Sequence, residues 1–279
     1  MQVRSYLSAL LSVFSIFAAE ETWAAYADVV LADSPVAYYR FEETSGGVAN
    51  DSSGNSNTGS YMNGVSLNQP SSSELGVSAL FDGSNDYVDT SRTVAGDFTL
   101  EAWINTSATS LGGTHAYEGN GILWSDVGGN ANDFVLGILN DQLAFTTGNI
   151  DTTASAGPQL NDGRWHHLVA TRSQTGGAVE IYVDGALVGS AASNNNLLSD
   201  SSVIHIGGNT GDGRYFDGRI DEVAYYPSVL SLTRIQAHYY AGAPVSVSLP
   251  VPTLNQWGMM VLMLLVAIGP MYYLRKQRA

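Results

Sequence analysis

Phe98-Thr99-Leu100-Glu101-Ala102-Trp103-Ile104-Asn105 alternates without a break. Phe98, Leu100, Ala102 and Ile104 fall on one side, and Thr99, Glu101, Trp103 and Asn105 on the other. A period of two with one apolar side marks a strand whose face lies against a core. The same signal recurs in both directions. Upstream, Val36 to Phe41 is short and aromatic, and Asp86-Tyr87-Val88 follows the turn Gly83-Ser84-Asn85. Downstream, Gly121 to Trp124 and Phe134 to Leu139 are apolar runs, and Asn140-Asp141 turns the chain into Leu143-Ala144-Phe145. Trp165 to Thr171 is a further strand. Val179, Ile181 and Val183 then alternate with Glu180 and Tyr182, ahead of Asp184-Gly185 and Ala186-Leu187-Val188. That is a hairpin signal, because glycine accepts the positive φ of a type I′ turn. Val203 to Ile206 and Arg219 to Tyr226 complete the set. One helix is expected from Leu232 to about Tyr239, capped by Ser231, with Gly242 beyond its end. Short strands joined by tight turns specify an all-β antiparallel sandwich or barrel.

Composition narrows the class. Cysteine is absent, so stability has to come from a sizeable core rather than from disulfides. Between residues 26 and 250 the chain carries 24 acidic residues against seven arginines, a net charge near −17. Such a body repels nucleic acid and anionic lipid and accepts divalent cations. Solubility outside the cell explains the same charge.

Both ends carry targeting signals. Arg4 opens a short positive region, Tyr6 to Ala19 is apolar and uncharged, and small residues follow at Ala24, Ala25 and Ala27. This is the pattern of a secretory signal peptide over residues 1–25, handled by the Sec machinery. Ala25-Tyr26-Ala27 fits the A-x-A cleavage pattern and Thr22-Trp23-Ala24 competes with it, so the bond is open at this point. At the other end, Val251-Pro252-Thr253-Leu254 is followed by Trp257-Gly258, an uncharged run to Leu274 and the basic Arg275-Lys276-Gln277-Arg278-Ala279. As a helix, 257–274 spans ~27 Å, near the ~30 Å hydrocarbon core, with the basic end held in the cytoplasm. A plain anchor needs only the run and the basic end. The upstream motif adds a third part, and the whole segment 251–279 resembles the IPTL-CTERM sorting signal of Gram-negative bacteria, with Val251 in place of the usual Ile. The resemblance implies processing by an exosortase in the inner membrane. Residues 243–250, with two prolines and two serines, read as a linker.

The order of five motifs is similar to laminin-G-like, concanavalin A-like jelly rolls. They are Phe81-Asp82-Gly83-Ser84-Asn85-Asp86-Tyr87-Val88, then Phe98 to Ile104, Trp165 to Arg172, Ile181 to Gly185, and Gly218 to Tyr226. Leu230-Ser231 and His238-Tyr239-Tyr240-Ala241-Gly242 resemble that family's closing helix. The resemblance covers residues 26–242 and implies two packed antiparallel sheets.

Chemistry is sparse. Glycoside hydrolases on related jelly rolls need two carboxylates facing a sugar ~5 to 9.5 Å apart. Their Glu-x-Asp-x-x-Glu strand is missing here, as is a Gly-x-Ser-x-Gly elbow. Asp221 and Glu222 are adjacent, so regular pleating sends them to opposite faces. The same alternation keeps His166 and His167 from sharing one ion, leaving one packed and one exposed. Asp221 alternates with Val223 and Tyr225 and faces the interior unless a bulge intervenes. A buried carboxylate needs a cation, an arginine or several donors. The family resemblance implies a structural Ca2+ between the first and last strands with an Asp late in the chain. Asp221 is then a ligand, and the oxygen-rich turn from Asp51 to Asn57 supplies Asp51 and Asn57. An Asp paired with arginine or backbone amides is the competing expectation. Gly207 to Tyr215 reads as a flexible loop ending in Arg214 and Tyr215, and His115, Tyr117 and Glu118 lie in another long connection. Rings beside Asn, Asp and Arg suit sugar recognition. Taken together, the expectation is an exported, non-enzymatic surface module that binds glycan or extracellular matrix material. A structural or assembly protein that binds other proteins, and a divergent glycoside hydrolase, are its rivals.

Overall fold

The computed structural model describes residues 25–244 apart from 130, 149 and 150. The signal peptide and the sorting segment expected from the sequence lie outside these residues. Among the described residues no helix is long and apolar enough to cross a membrane. In chain order the elements begin α1 (Tyr26–Leu31), β1 (Ala37–Tyr39), β2 (Val48–Ala49), β3 (Gly59–Met62), β4 (Ser66–Pro70), β5 (Val77–Asp82), β6 (Tyr87–Ser91) and β7 (Phe98–Asn105). A 3-10 turn (Ala116–Glu118) precedes β8 (Asn120–Ser125), β9 (Phe134–Leu139), β10 (Gln142–Thr147), β11 (Thr152–Ala156) and β12 (Trp165–Ser173). The chain then forms β13 (Ala178–Val183), β14 (Ala186–Ala192), β15 (Val203–Ile206), β16 (Gly208–Asn209), β17 (Arg214–Tyr215), β18 (Asp217–Tyr226) and α2 (Leu232–Gly242).

Two eight-stranded sheets form. The first runs β14-β13-β12-β7-β18-β5-β4, with β1 also on β18, and the second runs β11-β10-β9-β8-β15-β6-β3-β2. Their strand pairs are antiparallel. The expected tight turns are present: Asn140 and Asp141 have φ of 53° and 62°, and Asp184 and Gly185 have 51° and 74°. Ser231 caps α2 by accepting a hydrogen bond from the Arg234 amide.

The alternation of β7 builds two cores at once. Phe98, Leu100, Ala102 and Ile104 join the core between the sheets, with Phe134, Leu136 and Phe145 of the second sheet. Trp103 faces outward, but α1 and α2 cover it, in a second core with Tyr26, Tyr226 and Ile235. A side that alternation alone assigns to solvent is therefore also dry, and Glu101 is fully buried there.

One register shift alters an expectation. Asp221 pairs with Trp103, but Ala224 pairs with Glu101, so two residues of β18 stand where β7 has one. This is a β-bulge, with Glu222 at φ 50°. Residues opposite one another share a face, so Asp221 lies on the outer side with Trp103. Glu222 bonds Tyr38 of the outer core, so it lies there too. The two carboxylates are on the same side of the sheet, not on opposite ones. His166 and His167 also differ from expectation, since both are buried. His166 lies between Asp184 and Asp162, at 2.8 and 3.2 Å. His167 reaches Glu101 at 2.8 Å.

Candidate functional site

A surface patch and a cleft meet at the loops beside β8. The segment before β8 is held by Glu118, whose Oε2 accepts from the amides of Thr114 and His115 at 2.6 and 2.9 Å. The turn presents two rings: His115 stacks on Tyr117 with centroids 5.1 Å apart and planes 11° apart. His115 Nδ1 lies 2.9 Å from Thr153 Oγ1, and the Tyr117 hydroxyl donates to Asp151 at 3.1 Å. Burial and Asp151 together push the Tyr117 hydroxyl up to about 12. It is a neutral donor throughout the physiological range.

Arg214 reaches this turn from the other side and donates to the Tyr117 carbonyl. Its guanidinium is also 3.7 Å from Asp212. The segment expected as a flexible loop is a hairpin, with Gly208 paired to Tyr215 and Asn209 to Arg214. Gly208 is required there, because its φ is 151° and an added Cβ would stand 2.6 Å from the Tyr215 ring. Asn120 ties the hairpin to β8 by donating to the Tyr215 carbonyl at 2.7 Å. The structure thus brings His115, Tyr117 and Arg214 together, with Tyr215 buried beside them in the hairpin.

Beside the patch is a cavity of about 210 Å³, lined by Asp82, Thr106, Thr109, Asn120, Tyr215 and Asp217 among others. No lysine, arginine or histidine lines it. The Asp217 backbone is pinned, since its carbonyl accepts from Thr106 Oγ1 at 2.6 Å. Its exposed carboxylate has no hydrogen-bond partner among the described residues. Asp82 spends Oδ1 on the Ser84 amide, at 2.8 Å. The cleft offers acceptors and hydroxyls around a rigid frame and no counter-charge for an anion.

The expected calcium residues separate. Asp51 Oδ1 accepts from the amides of Tyr38 and Ser53, both at 2.9 Å, and Oδ2 from the amide of Asn57 at 2.8 Å. Asn57 Nδ2 donates to the Val36 carbonyl at 2.7 Å. Asp51 and Asn57 are therefore neighbours, and they organise the turn that follows β2. Asp221 instead accepts from Ser71 Oγ at 2.5 Å and from the Glu222 amide at 2.8 Å. Burial, then the Glu222 charge, hold the Asp221 carboxyl well above its ordinary range. Burial also pushes Glu222 up to about 8, against the Tyr38 hydroxyl and Arg40. Arg40 is the nearby cation, its Nε 3.4 Å from Glu222, and it is shared with Glu42 at 3.3 Å.

A fully buried carboxylate at the centre of four side chains was not singled out from the sequence. Glu101 Oε1 accepts from the Tyr26 hydroxyl at 2.5 Å and faces His167 Nε2 at 2.8 Å. Oε2 accepts from the Tyr226 hydroxyl at 2.7 Å and from His238 Nδ1 at 2.9 Å. The other His238 nitrogen is 2.7 Å from Asp33, which also holds Arg234 Nε at 2.8 Å. The cluster is enclosed by α1 and α2, so it joins elements and has no opening for a ligand.

The fold defined by these sheets places the molecule among jelly-roll sandwiches of the lectin type. The chain belongs to the concanavalin A-like lectin/glucanases superfamily, whose family profile matches residues 82–236. Residues 250–276 match the IPTL-CTERM motif, so the family resemblances of both parts are shown. Among curated proteins the chain is similar to "Sushi, von Willebrand factor type A, EGF and pentraxin domain-containing protein 1". The Rattus norvegicus protein is 34% identical over 92 residues, 32% of this chain and 2% of that one. The Mus musculus protein is 39% identical over 56 residues, 20% of this chain and 2% of that one. The match thus spans a small fraction of those relatives. Among solved structures, the binding domain of Paraclostridial Mosquitocidal Protein 1 superimposes with a TM-score of 0.61 at 15% identity, over 75% of this chain and 52% of that chain. Domain 4 of AbnA, a GH43 extracellular arabinanase from Geobacillus stearothermophilus in complex with arabinotriose, gives 0.56 at 16% identity, over 74% and 98%. The binding domain of botulinum neurotoxin DC in complex with SialylT gives 0.56 at 15%, over 76% and 52%. These identities speak for the fold alone.

Proposed function

We propose that the protein is an exported, non-enzymatic binding module of the cell surface, and that its ligand is a glycan without acidic groups. The observation that carries this is the cleft beside Arg214 and Tyr215, with a free carboxylate at Asp217 and no cation in its wall. Sugar hydroxyls donate to such a carboxylate, and the Tyr117 and His115 rings of the turn that precedes Asn120 offer an apolar face. Sialic or uronic acids meet the Asp82 and Asp217 charges unpaired, which is costly. The names of the structural neighbours, an arabinotriose complex and toxin binding domains, support a binding rather than a catalytic role. On a glycan array, the exported chain is expected to retain neutral sugars and to ignore acidic ones. Asp217→Ala, at an exposed position, removes one charge-assisted hydrogen bond and is expected to weaken retention by about tenfold or more. Retention that is unchanged in the variant, or confined to acidic glycans, overturns this assignment. A structural role through protein contacts predicts no retention at all.

We further propose a structural Ca2+ at Asp221. Two buried carboxylates, Asp221 and Glu222, share one half-exposed arginine, and Glu42 adds to the same field. That uncompensated charge fits a cation. Among the described residues no group of three or more acidic or histidine side chains is arranged to hold a metal ion. The remaining ligands would then be backbone carbonyls and water, which calcium tolerates. Asp51 and Asn57 are spent on backbone groups and are not needed for it.

Delivery is proposed to follow from the two ends: Sec export, insertion through 257–274, then exosortase processing near Val251, Pro252, Thr253 and Leu254 in the inner membrane, with Trp257 and Gly258 completing the motif. Changing Pro252 and Thr253 to Ala barely alters hydrophobicity. In a host with an exosortase the double variant is expected to accumulate as a longer, membrane-bound form, and in a host without one to behave as the parent. Mass spectrometry of the mature C-terminus decides it. Survival of Ala279 on the surface-exposed parent protein of the competent host leaves only an anchor.

A further inference from the structure

Two bonds compete for cleavage of the leader, one after Ala24 and one after Ala27, and the fold separates them. Tyr26 is 2% exposed, in the core beneath α1 and α2. Its ring meets Trp103 edge-on at 6.2 Å and lies 6.5 Å from His238. Gly242 leaves room for it, since a Cβ there would stand 2.9 Å from Tyr26 Cδ2. Its hydroxyl donates to the buried Glu101 at 2.5 Å. Ala27 is half-buried and packs on the same core. The first turn of α1 also needs Ala25, whose carbonyl accepts from the amides of Asp28 and Val29 at 2.9 and 3.3 Å. A cut after Ala27 discards Ala25, Tyr26 and Ala27 together. It empties an aromatic site and strips a donor from a fully buried carboxylate, and both losses are costly.

Ala25 itself is exposed, so the chain can begin there without disturbing the core. A cut after Ala24 places Thr22 and Ala24 at the two positions where the pattern requires small residues. A cut after Ala25 places Trp23 at the outer of those positions, where it does not fit. We propose that the leader is removed at the Ala24–Ala25 bond, and that Tyr26, the second residue of the mature chain, is the anchor that locks its N-terminus to the sheet. The amide between Ala24 and Ala25 is hydrolysed. Water supplies the hydroxyl that completes the Ala24 carboxyl and the proton that completes the Ala25 amine. The enzyme class is a signal peptidase.

This rests on the reading of residues 1–25 as an export signal, and one experiment separates the two. The full chain is expressed in a Sec-competent Gram-negative host, and the exported protein is examined by N-terminal sequencing and intact mass. The expected first residue is Ala25. Any other processed first residue, Asp28 above all, overturns the bond while leaving the export signal standing, and an exported chain that still carries Met1 overturns both. Ala24→Leu is expected to accumulate precursor, because it blocks the small-residue position. Ala27→Leu is expected to be processed as the parent, its mature chain beginning at Ala25 even if it folds less well. The reverse pattern overturns the proposal.

Discussion

Glu101→Ala is expected to destabilise the folded protein by about 3–5 kcal/mol, the usual cost of removing one partner from a buried charged pair. The loss is large because one carboxylate serves four side chains. Tyr26 comes from α1, His238 from α2, His167 from β12 and Tyr226 from β18. With alanine, two hydroxyls and two imidazoles remain in a dry layer without that acceptor. For a domain of this size the melting temperature should fall by roughly 10 °C. Glu101→Gln keeps the shape and removes the charge, and its effect is expected mainly in the pH profile. Burial alone would raise the Glu101 pKa, but the His238 charge and the hydrogen bonds from His167 and His238 hold it well below 4.5. Its contribution is therefore present above the ordinary carboxylate range and is lost as pH falls through the depressed value. For His238, burial opposes the proton, but Glu101 and Asp33 on its two nitrogens raise it above 6.5. Its contribution is full below 6.5 and is lost as pH rises through the elevated value. Arg234 beside Asp33 is the other fixed charge at the cluster. Thermal melts of the parent should thus be highest between the two ordinary values, with limbs on both sides that flatten in Glu101→Gln. A parent-like profile in that variant means the cluster carries no linkage.

Chelation is expected to lower the melting temperature of the parent protein and to leave Asp221→Asn unchanged. An ion that binds only the folded form stabilises it by mass action, about 2.7 kcal/mol at one hundred times its dissociation constant. Asn preserves the shape at a position 0% exposed, and its amide still bonds Ser71, so the variant is expected to fold. It also removes a carboxylate that crowds Glu222. In chelator, Asp221→Asn should therefore match or exceed the parent. In calcium the order should reverse. Coincident melting curves for the parent with and without chelator remove the ion from this site.

The fold was legible in the sequence where local rules are sufficient. The alternation of 98–105, the Asn140-Asp141 and Asp184-Gly185 turns and the Ser231 cap each depend on a few adjacent residues, and each is present. Several elements were not read, among them α1, β3, β4 and β11. The strands among them are short and rich in polar or small residues, as in Ser66-Leu67-Asn68-Gln69-Pro70, and pairing with a neighbouring strand is what makes them strands. The Gly207–Tyr215 segment looked flexible for the same reason: its hairpin is held by Asn120, 95 residues from Tyr215.

The candidate site divides along the same line. Residue types named the candidate patch, because aromatic, Arg and Asp side chains in long connections are visible in one dimension. The cleft wall at Asp82, Thr106 and Asp217 was not, since Asp217 joins it from 111 residues beyond Thr106. The face taken by Asp221 turned on one inserted residue in β18, and no side-chain pattern announces a bulge. Glu101 sat in plain view on the polar side of the deciding strand. By itself the sequence determined the class of fold, the IPTL-CTERM motif and the acidic body, because these depend on periodicity, composition and contiguous motifs. Only the tertiary structure decided that the polar side of that strand is a second core, that Tyr26 belongs to it, and that two carboxylates share one face. Burial is set by which helix covers which sheet, and that is a contact between α1 and α2, where Arg234 donates to the Val29 carbonyl 205 residues away.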